Sequence, residues 1–311
     1  MIGMRTYFAS FMAEYDFPEE AQKELTQAFD KLYVYTEFVS LIENYYDNEE
    51  RTAAAAIEKY RTLGKEIKTI CEKTGLTAET ALTVLLICVT KQTKEISKEW
   101  CWDDEMYRLG MMDIRCKLME GYGHLGYWAV SVISWICYIL EGAINSMGRL
   151  QFLYREYEGE DVELSGHTLK KGMMYIDIHI PASKESFGRE ARLDAYDKAY
   201  KYYKKRYGDG TPFFGCRSWL LYKENYGILN EKSNIVSFMN DFKIISSEPY
   251  ENKRQEMWRI FGDEAAKGEL ENLPENSSLQ RAFKKWFLDG NSLGEGKGFF
   301  FYDDVNKKTL N

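Results

Sequence analysis

Histidine is almost missing from this chain: only His124, His167 and His179 occur. Three scattered imidazoles argue against a zinc centre built on histidine. The six cysteines (Cys71, Cys88, Cys101, Cys116, Cys137 and Cys216) form no Cys-x-x-Cys pair and fall mostly inside helical apolar patterns. They read as small buried side chains in a reducing compartment, which sets aside disulfides and thiolate metal sites and points to the cytoplasm. There is no basic tract and no interleaving of basic with aromatic residues. Net charge is −8 and the pI about 5.2, so nucleic acid is not an expected partner. No leader pattern is read at residues 1–8, where an acidic segment follows. The uncharged apolar stretch 125–140 is shorter than the roughly 20 residues a bilayer core demands, and Glu120 and Glu141 stand on either side of it. It is expected as a buried helix, with no membrane partner. Internal repeats and low-complexity linkers are absent as well.

What is present suits a folded, two-domain chain. The 311 residues are 45% hydrophobic and 29% charged, enough to bury a sizeable core. Aromatics make up 15%, with 23 tyrosines, a composition of broad buried faces with polar rims. Residues 1–145 read as helix. Pro18, Glu19 and Glu20 open one helix with proline first and acids in the first turn. A second runs over 51–73 to a glycine cap at Gly75. A third spans 77–97 with Leu82, Leu85, Leu86 and Val89 on one stripe. Another begins at Asp103 and Asp104, and the apolar run extends to 144 as the last.

From 146 to 311 the pattern changes to strands alternating with helices, so the fold class expected is α+β, a helical domain followed by a mixed-sheet domain. Residues 147–156 are strand-like, with Leu150, Phe152 and Tyr154 on one face and Arg149, Gln151 and Leu153 on the other. A polar turn covers 157–172. Residues 173–180 alternate strictly: Met174, Ile176, Ile178 and Ile180 on one face, Tyr175, Asp177 and His179 on the other. Pro181 ends that strand. A polar loop, 182–190, feeds a helix to about Tyr207, and a helix N-terminus after such a loop is a place to hold phosphate. Turn chemistry at 208–212 precedes a strand over 213–221. A helix over 233–240 and a strand over 242–246 follow. A weaker strand is read at 255–261. Ser277 and Ser278 cap a helix to Leu288, and 298–302 is the last strand. Gly294-x-Gly296-x-Gly298 reads as a flexible hairpin before it. The strand 173–180 should be central and parallel to 213–221, because a helix connects them.

Several groups could carry chemistry. Asp177 and His179 lie two apart on one strand, where a carboxylate can orient imidazole and raise its basicity. The alternative is structural: His179 bonded to a neighbouring element and Asp177 paired with an arginine. Cys216 and Ser218 share a face of the following strand and are candidates for an acyl-enzyme, with buried packing as the competing account. Arg149, Gln151, Gln280 and Arg281 stand among apolar runs, either as structural hydrogen-bonders or as acceptor contacts.

The order strand, loop, helix, strand, helix, strand over 173–242 resembles the central part of GNAT-type N-acyltransferases. His179-Ile180-Pro181 sits at that superfamily's Val-x-Pro. Asn230-x-x-Ser233-x-x-Val236-Ser237-x-x-x-Asp241-Phe242 matches in spacing its Asn-x-x-Ala-x-x-Phe-Tyr-x-x-x-Gly-Phe. The whole chain is similar to a bacterial family of acyltransferases with a helical N-terminal domain and a GNAT-like C-terminal domain. The residues carrying that likeness are 148–152, 179–181, 216–221, 233–235 and 273–281. The resemblance implies acetyl-CoA or another acyl-CoA as co-substrate. Its pantetheine would lie along Ile178 and Ile180, and its pyrophosphate would meet Phe187, Gly188, Arg189, Glu190 and Ala191, with Asn234 nearby. It implies an amine acceptor on a small molecule or peptide, and leaves a homo-oligomer open. Two departures stand out. The superfamily's phosphate loop is richer in glycine than this one, which offers only Gly188. The tyrosine that protonates the leaving thiolate is replaced by Ser237. A domain that binds an acyl-CoA or a protein partner without turnover is therefore the second reading.

Overall fold

The computed structural model describes residues 3–47, 52–183, 185–208 and 211–311. Asp209 and Gly210 of the turn expected at 208–212, Lys184 of the phosphate loop, and Arg51 at the expected start of a helix lie outside them. Two compact units make up the chain: Met1–Ser146 with Pro181–Ser183, and Met147–Ile180 with Lys184–Asn311.

The first unit contains α1 (Met4–Glu14), α2 (Glu19–Leu32), α3 (Thr36–Glu43), α4 (Ala53–Thr74), α5 (Ala78–Ile96), α6 (Asp104–Leu125) and α7 (Ile133–Leu140). Three of these start on a side-chain cap. Thr52, Thr77 and Asp103 accept from the N–H groups of Ala55, Thr80 and Met106, each cap contributing about 1 kcal/mol. The unbroken buried run along α5, from Ala81 to Thr90, makes it the helix the others surround. The apolar run 125–144, expected as one buried helix, is not a single helix. Gly126 closes α6 in the left-handed conformation, and the chain doubles back so tightly that a Cβ on Gly121 would sit 1.9 Å from the Ala129 carbonyl oxygen. Only Ile133–Leu140 is helical beyond that reversal. No single helix among the described residues is long and apolar enough to cross a membrane.

Strand β1 (Ile144–Met147) leads into the second unit. There follow β2 (Leu150–Glu156), β3 (Val162–Leu164), β4 (His167–Leu169), β5 (Met174–His179), α8 (Arg189–Tyr207), β6 (Phe213–Ser218), α9 (Asn225–Ile228), α10 (Asn234–Met239), β7 (Lys243–Pro249), α11 (Trp258–Phe261), α12 (Asp263–Lys267), α13 (Ser278–Leu288), β8 (Gly294–Asp303) and β9 (Lys308–Leu310). Within this unit the sheet order is β2-β5-β6-β8-β7, with β9 on β8. β5 and β6 run parallel, as α8 between them requires, and the other pairs are antiparallel. This mixed sheet after a helical region is the α+β organisation expected.

One face of the sheet packs under α8. Tyr196 meets the rings of Phe214 and Phe300, and the Tyr203 hydroxyl donates to the Phe152 carbonyl at 2.9 Å. The other face is covered by the β3–β4 hairpin, whose Val162, Leu164 and Leu169 close over Tyr175, Phe213 and Phe299. The polar composition of 157–172 hid this hairpin. Its turn residues, Ser165 and Gly166, both have positive φ, the signature of a tight two-residue connection.

Two further expectations are corrected. Residues 255–261 form turns and α11 rather than a strand, because Met257, Ile260 and Phe261, at helical spacing, fill a separate core with Leu273, Phe283, Phe287 and Leu293. Gly294, Gly296 and Gly298 lie inside β8 and not in a flexible hairpin. A Cβ on Gly296 would stand 2.0 Å from the Leu221 carbonyl oxygen. Glycine there lets the 3-10 turn Trp219–Leu221, which ends the strand expected to reach 221, lie directly on the sheet.

Candidate active site

The ladder between β5 and β6 consists of Ile176 opposite Phe214 and Asp177 opposite Gly215. Both strands continue beyond it. Ile178 and His179 stay paired to β2 through Phe152 and Gln151, while Cys216, Arg217 and Ser218 stay paired to β8 through Gly298, Lys297 and Gly296. Each strand keeps its outer neighbour while the inner edges part. Local sequence explains the parting. The Ser218 hydroxyl accepts from Leu220 N–H at 3.2 Å, starting the 3-10 turn, and that turn settles onto the β8 glycines, on the side of β6 away from β5. The gap opens at the C-terminal ends of two parallel strands, the end where α/β sheets receive ligands.

Asp177 and His179 lie beside this gap. The Asp177 Oδ2 atom is 3.7 Å from His179 Nε2 and 3.3 Å from Arg155 Nη1, so imidazole and guanidinium share one carboxylate oxygen. Burial pushes the Asp177 carboxyl above its usual range, against the opposing pull of His179, Arg155 and Lys297. Asp177 thus faces the imidazole, as the alternation along β5 requires, and also pairs with an arginine, as the structural account has it.

Cys216 and Ser218 occupy the other face. Asp177 is the register partner of Gly215, and side chains alternate along β6, which puts Cys216 and Ser218 on the α8 side, apart from the Asp177–His179 face. Cys216 is buried, and burial with the nearby Asp177 and Glu295 charges holds its thiol well above the ordinary value. That environment opposes a thiolate nucleophile. The Ser218 hydroxyl is engaged with the Leu220 N–H.

After β5 the chain reaches the N-terminus of α8, where Gly188 is the capping residue and has no side chain to satisfy the first turn. Its φ of −67° is open to any residue, and a Cβ there would meet only the Ser186 hydroxyl, at 3.2 Å. Glu190 is exposed in the first turn, Arg189 is exposed beside it, and Ala191 is half-buried. Phe187 is held by two cations: the guanidinium groups of Arg149 and Arg192 each lie 5.4 Å from its ring centroid. Arg149 Nε also donates to the Glu185 carbonyl at 3.1 Å. Ile178 is buried and Ile180 half-buried; Asn234, the first residue of α10, is exposed.

Arg192, fully buried, was not singled out in the sequence. Its Nε donates to Asp241 Oδ2 at 2.9 Å, Nη1 to the Phe187 carbonyl at 2.9 Å and Nη2 to the Ser237 hydroxyl at 3.0 Å. Ser237, in the slot of the expected acid, thus belongs to a brace between α8 and α10. Gln280 donates to the Ile260 carbonyl and accepts from Asn276 N–H, and Arg281 donates to the Glu275 carbonyl. Those bonds favour the structural account of both. Arg155 was missed because its tie to Asp177 depends on strand register, which local sequence does not reveal.

Comparison with known proteins bears on the fold that carries this geometry. A family model described as a GNAT-like C-terminal domain matches residues 144–300. No curated protein matches the chain. Among solved structures, an acyltransferase in complex with decanoyl-CoA and teicoplanin has a TM-score of 0.69 at 18% identity, over 93% of this chain and 86% of its own. An acyltransferase with CoA and 10C-teicoplanin gives 0.68 at 17%, with the same coverage. Another, with decanoyl-CoA, gives 0.62 at 17% over 73% of this chain and 67% of its own. At these identities the likeness is one of fold.

Proposed function

This chain belongs to the GNAT-like C-terminal domain family, and from that premise we propose that it moves an acyl group from an acyl-CoA to the amine of a small molecule or peptide. The observation that carries the reading is the parting of β5 and β6 beyond Asp177 and Gly215, with Asp177 and His179 at its edge. An extended pantetheine arm fits between strand edges that no longer pair with each other. Gly188 is compatible with a pyrophosphate at the α8 N-terminus: it caps the helix without a side chain over the first turn, so a ligand can approach the backbone closely. The decanoyl-CoA and CoA held by proteins of the same fold agree with that class of co-substrate.

In this reading His179 takes a proton from the attacking amine while the new C–N bond forms. The C–S bond breaks, and the proton passes to the departing thiolate or to water. Asp177 orients the imidazole and stabilises its charged form. Cys216 and Ser218 take no covalent part. The acceptor is assigned only as an amine, the class that the resemblance to N-acyltransferases implies. A second reading, binding without turnover, is favoured by one observation: the acid's slot holds Ser237, an aliphatic hydroxyl that is a poor acid and that serves as an acceptor for Arg192.

Titration calorimetry with acetyl-CoA and longer acyl-CoAs, followed by transfer assays over a panel of amines, tests both. Binding with turnover is expected, and His179→Ala should lower turnover by roughly a hundredfold or more with acyl-CoA affinity little changed. Absence of binding at millimolar concentration ends the cofactor assignment. Binding without turnover on any amine supports the second reading.

A further inference from the structure

Arg155 reaches Asp177 from the neighbouring strand. It stands opposite Tyr175 in the β2–β5 register, one diagonal step from Asp177, a separation long side chains span. Its guanidinium and the His179 imidazole approach the same atom, Asp177 Oδ2. The pair is asymmetric: the arginine side chain is 53% exposed and the aspartate 11%. The charge that holds the buried carboxylate therefore stands at the rim. From these contacts we infer that Arg155 is a positioning residue for acyl transfer, fixing the Asp177 carboxylate against His179 and keeping the imidazole free of a proton at working pH.

The physical ground is charge balance in a confined place. The groups around the couple are Tyr175 on β5, Arg155 on β2, Cys216 on β6 and Lys297 on β8, with Glu158 acting on Arg155. Only Arg155 and Lys297 among them are cations. Removing a positive charge 3.3 Å from the carboxylate makes the Asp177–His179 couple bind a proton more tightly, whichever member carries it. The imidazole would then be occupied over part of the pH range in which it must accept a proton. Because Arg155 is half-exposed, its replacement removes charge without opening the core.

This role depends on His179 being the base, and the two assignments are separated by their readouts. The imidazole resonances of the full-length protein are followed by NMR against pH in wild type, Arg155→Met and Arg155→Lys, with His179→Ala identifying the signal. Arg155→Met should raise the His179 midpoint by about one unit, and Arg155→Lys should bring it back towards wild type. Where turnover is measurable, the acid limb of kcat/KM should move up by the same amount. An unchanged midpoint in a folded Arg155→Met protein overturns the inference, whatever the activity. A shifted midpoint in an enzyme whose His179→Ala variant stays fully active keeps the coupling, removes its catalytic meaning and overturns the positioning role.

Discussion

Cys216 shows how burial decides the fate of a reactive side chain. Its thiol faces the α8 side of the sheet, and the low-polarity surroundings, reinforced by Asp177 and Glu295, favour the protonated form. Cys216→Ala should retain turnover within a few-fold while lowering stability by about 1 kcal/mol, read by steady-state kinetics and denaturant unfolding. Loss of turnover in a folded variant would return the thiol to the mechanism. At this scale the sequence was informative where one strand carried all the information. The alternation of Tyr175, Asp177 and His179 already put the last two side by side, and they are. It was uninformative where two strands were needed. Arg155 and Asp177 are partners through β2–β5 register, and the separation of Cys216 from His179 follows from the β5–β6 register.

At the scale of elements, the Arg192–Asp241 pair joins α8 to the end of α10. Both groups are buried, and burial raises the Asp241 carboxyl despite its cationic partner. The Tyr196 hydroxyl donates to the same carboxylate at 3.2 Å. Arg192→Met should therefore cost about 3–5 kcal/mol, because it strands a buried carboxylate. Adding Asp241→Leu should recover most of that loss. Denaturant unfolding of the three proteins checks it, and a single variant as stable as wild type would refute it. Helices announced by caps were legible: α4 closes on Gly75 and α6 opens on Asp103, as their sequences indicate. Elements shaped by long-range packing were not. The apolar run after Gly126 broke because the chain reverses against Gly121, and β8 absorbed three glycines because the Trp219–Leu221 turn needed room.

On the scale of the whole sheet, the β2–β5 and β6–β8–β7 ladders are joined through the short run of pairs at Ile176 and Asp177. A ligand lying between the strands should make that joint firmer. The thermal midpoint of the second unit should rise with acyl-CoA concentration, the gain reaching about 2.7 kcal/mol at a hundredfold excess over Kd. Calorimetric scans at several concentrations measure it, and a midpoint indifferent to acyl-CoA would contradict the placement. The helical region followed by a mixed sheet could be foreseen from periodicity alone, since 3.6-residue and two-residue patterns occupy separate stretches. The opening between β5 and β6 could not, because it arises from where β6 goes next.

That opening also bears on how long the polypeptide survives. Strand edges that have let go of one another are a template for any extended chain that passes, including another copy of this one. Occupied, they would be shielded; empty, any local opening that bares Ile178 and Cys216, now buried, would invite aggregation and attack by proteases that need a strand to grip. If the proposed acyl-CoA is what fills them, the lifetime of the protein would follow the supply of that thioester, and a shortage of it would thin the population without any dedicated regulator.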